Sequence, residues 1–443
     1  MMDPKTLEHF VPWFRASAPY IHAFGGRTFV VAFGGEVVAD GKFVALTHDL
    51  NLLASLGVKL VLVHGARPQI EERLKRRDAE IRYVRDMRVT DEAALQDVKE
   101  ASGRLRTEIE AQLSVGLPNT PMANATIRVT SGNFVVARPV GIIEGVDMMF
   151  TGEVRKIHAD AIQRCLDDED VVLVSPLGYS PTGEIFNLTL EDVAAQTAIA
   201  LKADKLLFLM DEPGIRAGRG RVRPEVTISQ AEELIATRRG LQGDGALYLP
   251  FATRACRGGV KRVHLISRHV DGALLLELFT HTGIGTLVTQ DPVEQMVEAT
   301  IDDVGGILQL IEPLEADGTL VKRSRELLEM EIARFVVLRH DDRIVGCAAL
   351  YPFAKEKAAE LACVAIHPDH RNGGAGERLL QVIEARARKA GYRRLFVLTT
   401  RAAHWFVEQG FAEASVAELP AQRQQLYNYQ RRSKVLIKQL TKP

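Results

Sequence analysis

The feature that most limits the fold of this chain is an alternation of short apolar runs with helical patterns over residues 28–290. Buried strands that alternate with helices need helices on both faces of a mostly parallel sheet. We therefore predict an α/β sandwich, whose ligands are expected at the carboxyl ends of its strands. The predicted strands are Thr28–Phe33, Lys59–Val63, Val171–Ser175, Lys205–Met210, Arg262–Ile266 and Gly285–Val288, and the clearest helices between them are Leu46–Leu56 and Val193–Leu201.

The alternation stops at residues 289–297, which we interpret as a linker. At 443 residues the chain is longer than one hydrophobic core usually supports, so two domains are expected. We assign residues 1–25 to an N-terminal helix that serves oligomerisation, 26–288 to a first domain and 298–443 to a second. The second domain has the pattern of an α+β fold with a mixed sheet, with helices at Gly305–Glu315, Arg323–Glu331 and Ala402–Gln409 and strands at Arg334–Arg339, Ile344–Tyr351, Arg394–Thr399 and Lys434–Ile437.

The composition argues against several classes of function. A formal net charge of -1 does not fit a nucleic-acid partner, which attracts a basic excess. No apolar run approaches the ~18 residues of a membrane-spanning helix, and residues 1–10 lack the pattern of a signal peptide. The cysteines are scattered, with neither a CxxC pair nor a dense disulfide pattern. We therefore expect a cytoplasmic protein without a membrane partner.

Residues 360–390 read as a strand, a glycine-bearing turn and a helix, in that order. Gly374 and Gly376 allow the backbone to turn with its N–H groups pointing inward, and the start of the helix adds the positive end of its dipole. The flanking elements make the pattern Arg371-x-x-Gly374-x-Gly376 a candidate site for a pyrophosphate group.

This order of elements resembles the GNAT acetyltransferase superfamily over residues 298–443, and Trp405–Phe411 resembles the second motif of that superfamily. The resemblance implies that acetyl-CoA is the co-substrate and that no metal takes part. It also implies that backbone amides near Cys363 and Val364 polarise the thioester carbonyl. The amides that would hold the pyrophosphate belong to Arg371, Asn372, Gly373, Gly374, Ala375 and Gly376.

Acetyl transfer needs an uncharged amine, so a base must take a proton. Glu360 starts the strand, on the face shared by alternate residues, and is our candidate base; the alternative is an exposed glutamate at a strand end. The family often has a tyrosine as general acid at the position of Phe406, which cannot donate a proton. Thr399 or Thr400, at the end of the preceding strand, are substitutes, and we favour Thr399 over the alternative that both residues only finish the strand.

Residues 26–290 resemble the amino acid kinase family, and N-acetylglutamate kinase in particular. In those kinases one lysine stands two residues before the glycine pair and another follows a proline, and here these positions are Ala32 and Phe251. Because phosphoryl transfer depends on electrostatic stabilisation, the loss of both lysines implies a kinase fold without kinase activity. The matching segments are Val30–Gly35, Leu62–Gln69, Lys202–Gly214, Gly258–Ile266 and Leu276–Thr286.

Arginine-inhibited members of that family carry an extra N-terminal helix and bind arginine beside the last helix and its glycine turn. Residues 10–24 and the segment from Glu277 onwards match these two features. The resemblance implies that Glu277 pairs with the guanidinium of arginine; the alternative is that Glu277 is a carboxylate on the helix surface. The residues of this predicted site are Tyr20, Lys202, Lys205, Glu277, His281 and Gly283.

A kinase-like domain without its lysines, followed by a GNAT domain, resembles the bacterial N-acetylglutamate synthase family. The resemblance implies acetyl transfer to the amine of L-glutamate, the first step of arginine biosynthesis, with L-arginine as feedback inhibitor and a homo-hexamer as the assembly. Two carboxylates on the acceptor call for arginines. The candidates are Arg323 and, on the last strand, Arg431 or Arg432, of which strand alternation lets only one face the pocket. Three alternatives remain open: a bifunctional synthase and kinase, a non-catalytic arginine sensor, and a GNAT enzyme for another amine.

Overall fold

The computed structural model describes residues 4–217, 220–238, 241, 243–280, 283–290, 294–340, 343–371 and 374–440. The chain divides into two compact units, Met1–Pro292 and Val293–Pro443. Within the described ranges, none of the helices is both long enough and apolar enough to cross a membrane. Three predicted site residues, His281, Asn372 and Gly373, lie outside the described residues.

The first unit is built around an eight-stranded sheet. Its strands pair in parallel except for one antiparallel pair, Arg262–Ser267 with Thr286–Thr289. All six predicted strands are present, with ends that differ from the prediction by one residue at most. In spatial order the strands are Glu225–Thr227, Thr286–Thr289, Arg262–Ser267, Lys205–Met210, Thr28–Phe33, Lys59–His64, Val171–Val174 and Val129–Ser131.

Helices cover both faces of this sheet, as the continuous apolar runs predicted. Along the central strand, Val30 and Ala32 belong to the core on one face, whereas Phe29 and Phe33 belong to the core on the other. This is the alternation expected of a strand that is buried on both sides. The helices of the unit are Pro4–Phe24, Glu36–Ala39, Phe43–Ser55, Arg67–Arg76, Glu92–Leu113, Ala159–Asp167, Leu190–Leu201, Ile228–Thr237, Gly243–Arg257 and Ala273–Phe279.

A second sheet of four strands in the first unit was not predicted from the sequence. Its strands are three to six residues long and only partly buried, so their apolar pattern is weak. Three two-stranded hairpins complete the unit. The four strands are Ile185–Asn187, Leu177–Tyr179, Val135–Pro139 and Gly152–Ile157, and the hairpins pair Tyr83–Val84 with Met87–Arg88, Ile142–Ile143 with Val146–Asp147, and Arg216–Ala217 with Arg221–Val222.

The second unit contains a mixed seven-stranded sheet in which only Ala358–Ile366 and Arg394–Thr399 pair in parallel. This confirms the predicted α+β class. In spatial order the strands are Glu294–Glu298, Phe335–His340, Arg343–Phe353, Ala358–Ile366, Arg394–Thr399, Lys434–Gln439 and Ala412–Ala414. The helices are Val304–Ala316, Arg325–Glu331, Ala375–Lys389, Ala403–Glu408 and Ala421–Gln425, with 3-10 turns at Ile301–Asp303, Ile332–Arg334, Pro368–His370 and Val416–Glu418.

The segment Glu294–Glu298, called the edge strand below, differs from the sequence-based expectation. The sequence predicted a linker over residues 289–297, but Glu294 pairs with His340 and Glu298 with Val336 in an antiparallel ladder. Five residues carry too little periodicity to indicate a strand, and the pairing partner lies some forty residues further along the chain. The sheet of the second unit therefore begins almost at the first residue of that unit.

Candidate functional site

The strand Ala358–Ile366 is paired with its parallel neighbour over only its first third. The ladder to Arg394–Thr399 runs from Ala358 to Glu360 and then ends, whereas on its other side Arg394–Thr399 pairs with Lys434–Gln439 along its whole length. Beyond Glu360, backbone N–H and C=O groups on this side of the described strand are not used by the sheet. Such an opening between two parallel strands can receive an extended ligand that pairs with the exposed backbone.

A bulge lies in the open part of this strand. On its other side Cys347 pairs with Ala365 and Ala349 with Ala362, so Ala348 alone lies opposite two residues, Cys363 and Val364. Cys363 takes a φ of 52°, a left-handed conformation that is uncommon for a residue with a side chain. A bulge of this kind turns backbone amides out of the ladder. The predicted amides near Cys363 and Val364 lie at this irregularity.

Glu360 is buried at the point where the two strands part. Arg423 contacts both of its carboxylate oxygens: Nε donates to Oε2 at 2.7 Å and Nη2 donates to Oε1 at 3.0 Å. Arg423 belongs to the five-residue helix Ala421–Gln425, which was not predicted from the sequence. The alternative of an exposed strand-end glutamate is therefore wrong, and the carboxylate is held by a bidentate ion pair.

The glycine turn precedes the 15-residue helix Ala375–Lys389. Gly374 has a φ of 75°, a left-handed conformation that glycine adopts readily and other residues adopt only with strain. It occupies the N-cap position of the helix and provides no side-chain cap. A Cβ on Gly376 would come within 3.2 Å of the Trp405 ring, so this glycine permits close packing. Arg371 donates from Nε to the carbonyl of Ile366 at 3.2 Å. The first amides of the helix are thus available to an anion.

Two of the predicted arginines lie close to each other. Burial by itself lowers the pKa of Arg323, but the neighbouring Cys363 and Tyr351 more than offset this, so the pKa is raised. Burial and the positive charge of Arg323 both lower the pKa of Arg431. Arg431 also donates to the backbone carbonyls of Gly318 and Thr319.

Tyr351 connects these arginines to the buried carboxylate. Tyr351 and Glu360 are directly opposite each other on antiparallel strands, so their side chains share a face of the sheet. The tyrosine hydroxyl donates to Glu331 at 2.6 Å, and burial, followed by this carboxylate, raises the pKa of Tyr351 to about 12. Arg323, Tyr351 and Glu360 therefore lie on one side of the opened strand.

The placement of Arg431 and Arg432 corrects one sequence-based prediction. Both residues were placed on the last strand, where only one could face the pocket, but that strand begins at Lys434. The two arginines lie in the preceding turn, and Arg432 takes a φ of 49°. Because they are not in a strand, alternation does not choose between them.

Thr399 ends the strand Arg394–Thr399, and its Oγ1 accepts a hydrogen bond from the Ala402 amide at 3.0 Å. Since the oxygen is the acceptor there, its hydrogen remains available for donation. Phe406 is buried in the core, with edge-on ring contacts to Trp405 and Phe411. Phe406 is therefore a packing residue and has no proton to donate.

In the first unit, a cavity of about 220 Å³ opens at the carboxyl ends of the central strands. Ala32 is buried in the strand below it, and Phe251 packs against the core with Arg254 4.9 Å from the centre of its ring. Among the described residues that line the cavity there is no lysine. Arg268, which does line it, is tied to Asp40 and Asp211. The described lining therefore lacks the lysines with which the kinases stabilise phosphoryl transfer, although Arg67 and Arg88 also line the cavity.

Glu277 is a buried carboxylate, so the alternative of a helix-surface position is wrong. His264 Nδ1 donates to its Oε1 at 2.7 Å, and the amides of Ile284 and Gly285 donate to its Oε2 at 2.7 and 3.0 Å. Burial raises the pKa of Glu277, but these hydrogen bonds outweigh burial and hold the pKa below its ordinary value. Gly283, with a φ of 59°, leaves room for the carboxylate, since an added Cβ would come within 2.6 Å of Oε2.

The other predicted arginine-site residues surround this carboxylate to different degrees. Lys205 is buried, with Nζ 3.4 Å from His264 Nε2 and 5.3 Å from the centre of the Phe24 ring. Burial, and then the charge of Lys205, lower the pKa of His264 to about 4, so this histidine is neutral near pH 7. Tyr20 packs on Phe24. Lys202 ends the helix Leu190–Leu201 in a left-handed conformation, and within the described residues it makes no hydrogen bond to Glu277 or His264.

The two units together define a class of protein. The second unit has the bulged, opened strand and the glycine turn of an acetyltransferase, and the first has a sheet of the kinase type without the kinase lysines. The Amino acid kinase family matches residues 27–267, and the Acetyltransferase (GNAT) family matches residues 307–411.

Similar proteins narrow the class further. The amino-acid acetyltransferase of Ralstonia nicotianae is 56% identical over 439 residues, which cover 99% of this chain and 97% of the relative. That of Ectopseudomonas mendocina is 53% identical over 434 residues, with 98% and 100% covered. A crystal structure of N-acetylglutamate synthase from Neisseria gonorrhoeae, complexed with coenzyme A and L-arginine, has a TM-score of 0.87 and 37% identity, with 98% of this chain and 100% of that chain covered. The chain belongs to the amino-acid acetyltransferase family and is an acyltransferase.

Proposed function

We propose that this enzyme transfers the acetyl group of acetyl-CoA to the amine of L-glutamate, giving N-acetyl-L-glutamate and CoA, at the first step of arginine biosynthesis. The observation that carries the proposal is the buried ion pair of Glu360 with Arg423 at the mouth of the opened strand, on the same face as Tyr351 and close to Arg323. A site rich in arginine around one carboxylate suits an acidic amino acid. The Neisseria gonorrhoeae synthase has been crystallised with coenzyme A and N-acetyl-glutamate, which supports the same reaction here.

The acetyl-CoA contacts follow from the backbone. The pyrophosphate binds the amides of the turn from Arg371 to Gly376, including Asn372, Gly373 and Ala375, and the start of the following helix. The pantetheine arm extends along the open side of the strand Ala358–Ile366. The thioester carbonyl then lies at the bulge, where the amides of Cys363 and Val364 stabilise the charge that develops on its oxygen.

The acceptor binds through its carboxylates to Arg323 and to Arg431 or Arg432. Arg423 adds a third guanidinium next to Glu360. When a substrate carboxylate competes for Arg423, Glu360 is released to take a proton from the ammonium group, directly or through water. The free amine attacks the thioester carbon, the C–S bond breaks, and the CoA thiolate leaves; the proton that the nitrogen loses as it becomes an amide converts the thiolate to the CoA thiol. Thr399 donates a hydrogen bond to that thiolate at the end of the neighbouring strand.

The kinase-like unit supplies control in this proposal. L-Arginine binds beside Glu277, with Tyr20, Lys202, Lys205, His281 and Gly283 as its surroundings, and lowers acetyl transfer. Its guanidinium pairs with Glu277, whose oxygens are oriented by His264 and two backbone amides. Control of this kind requires two global states that differ in their affinity for arginine. A cytoplasmic homo-hexamer, formed partly by the N-terminal helix, provides them.

The decisive experiment follows CoA thiol release from acetyl-CoA with a panel of amino acids and a peptide that carries a free lysine. L-Glutamate should give a kcat/KM at least about a hundredfold above L-aspartate and L-glutamine. The side-chain carboxylate is too short in aspartate and absent in glutamine, so either one leaves a buried arginine of the site unpaired. Equal rates across the panel, or a preference for the peptide, would refute the acceptor assignment. Arginine titrated into the same assay tests the inhibitory site.

A further inference from the structure

Both ends of the edge strand Glu294–Glu298 contact the helix that follows the glycine turn. Glu294 pairs with Arg378, and Glu298 lies 3.9 Å from Arg386. Between them Met296 packs against the cluster that contains Ala375, the first residue of the helix. Glu294, Met296 and Glu298 are alternate residues and share one face of the strand.

The spacing of these contacts is matched on the two elements. Four residues of strand span about 13 Å, and the eight residues from Arg378 to Arg386 span about 12 Å of helix. Strand and helix therefore run alongside each other without strain. The end of the strand that carries Glu294 lies at the start of the helix, where the glycine turn is.

Glu294 contacts residues on both sides of the glycine turn. Its Oε1 lies 3.3 Å from His370 Nδ1, immediately before the turn, and its Oε2 accepts from Arg378, in the first turns of the helix after it. His340, its partner across the ladder, lies 3.8 Å from the same carboxylate. Hydrogen bonds from His340 and His370, together with Arg378, hold the pKa of Glu294 well below its usual range, so the carboxylate is charged at neutral pH.

From this geometry we infer that Glu294 is a positioning residue for acetyl-CoA. It fixes His370 and Arg378 relative to each other, and with them the two ends of the turn whose amides receive the pyrophosphate. Glu294 itself does not touch the cofactor. The inference rests on the proposed function, since it assigns the turn to the pyrophosphate of acetyl-CoA. A carboxylate that is tied on both oxygens holds His370 and Arg378 in place before the ligand arrives, so less freedom is lost on binding.

The first test measures CoA binding by calorimetry, with no acceptor present. Glu294→Gln keeps the size of the side chain and removes its charge, and should weaken CoA binding about tenfold, since small misplacements of binding groups have effects of this size or larger. Glu298→Gln, on the same face but at the far end of the helix, is the matched control and should stay within about twofold. Unchanged CoA affinity in Glu294→Gln would overturn the inference.

The second test separates positioning from a general structural defect. S-Acetylpantetheine carries the thioester but no pyrophosphate, so the glycine turn contributes nothing to its binding. Glu294→Gln should therefore match the unaltered enzyme in kcat/KM for S-acetylpantetheine, while its KM for acetyl-CoA rises about tenfold and its kcat changes little. An equal loss with both donors would mean that Glu294 only supports the fold, and would also overturn the inference.

Glu294→Asp provides a milder variant in case the glutamine variant does not fold. It retains the charge but is one methylene shorter and cannot reach both partners, so CoA binding should weaken about threefold. Because the calorimetric test needs no acceptor, its outcome is independent of the amino acid that the enzyme acetylates. Weak CoA binding by Glu294→Gln with no glutamate acetylation by the unaltered enzyme would leave the inference standing and refute the proposed function.

Discussion

The guanidinium of Arg423 contacts both carboxylate oxygens of Glu360, at 2.7 Å from Nε and 3.0 Å from Nη2. A carboxylate held in this way is oriented, and its oxygens become free to accept a proton only when the guanidinium binds another anion. An acidic acceptor brings such an anion to the site together with the amine that must lose a proton. The ion pair therefore links recognition of the substrate carboxylate to activation of the nucleophile.

Replacing Glu360 with Gln should lower kcat by about 10²–10³-fold, since general base catalysis typically contributes about 10²–10⁴-fold. The KM for acetyl-CoA should change little. Glu413→Gln is the control, because Glu413 forms an exposed ion pair with Lys434. Initial rates of thiol release measure both variants. A Glu360→Gln enzyme that retains more than a tenth of its kcat would show that another group takes the proton.

Arg323→Met should raise the KM for L-glutamate about 10–100-fold and leave the KM for acetyl-CoA within about twofold. A hydrogen bond to a charged group is worth about 1.5–3 kcal/mol, which corresponds to this range. Arg325→Met serves for comparison, because Arg325 is exposed and pairs with Glu329 at 2.8 Å. Steady-state kinetics with each substrate varied in turn give the result. A rise confined to the KM of acetyl-CoA would contradict the role of Arg323.

Gly283→Ala should raise the arginine concentration for half-inhibition by at least about tenfold. The added methyl group would lie within 2.6 Å of Glu277 Oε2 and displace the carboxylate. Gly272→Ala is a matched control: its φ of 67° is equally unfavourable for alanine, but nothing lies within 4 Å of the added Cβ. Activity without arginine should survive in both variants. Equal inhibition of the two would place the arginine site elsewhere.

Asp49→Asn should change stability in a pH-dependent way. Burial, and then repulsion from Asp271, raise the pKa of Asp49 to about 7. The unfolded chain loses this proton near pH 3.9, so between about pH 4 and 7 the folded state binds more protons, and stability from this group falls as pH rises through that window. The variant should melt slightly above the unaltered protein at pH 5, where only part of this loss has occurred, and about 2–4 °C above it at pH 8.

Thermal unfolding at both pH values measures this effect. Asp271→Asn removes only the repulsion and should give a smaller rise at pH 8 than Asp49→Asn. A difference between Asp49→Asn and the unaltered protein that is the same at pH 5 and pH 8 would show that the effect comes from packing rather than from ionisation.

The central strands were predictable because their signal is local. Thr28–Phe33 and Lys205–Met210 were predicted with the observed ends, since continuous apolar runs between glycine or acidic turns leave little freedom. The glycine turn after Ile366 was predictable for the same reason. The prediction that this turn binds a pyrophosphate group depended on the flanking strand and helix, which are adjacent to it in sequence.

Features that depend on distant partners were not predictable from the sequence. Arg423 reaches Glu360 across 63 residues of chain from a short helix with no distinctive pattern. The bulge at Cys363 exists only in relation to the register of the strand beside it. The edge strand has the sequence pattern of a linker because five residues show a strand only through their pairing. In each case the information lies in tertiary contacts.

Ala32 lies between Val63 and Phe208 in the middle of the first unit's sheet, and is almost completely buried. A lysine in this place would bring a cation whose burial is expensive unless an anion always accompanies it. Catalytic groups of that kind commonly lower the stability of the protein that carries them. Alanine at this position carries no charge, so its burial costs no stability of this kind. The sequence of the sheet can then change without having to accommodate a catalytic lysine. We expect a domain without this buried cation to be well suited to sensing a metabolite.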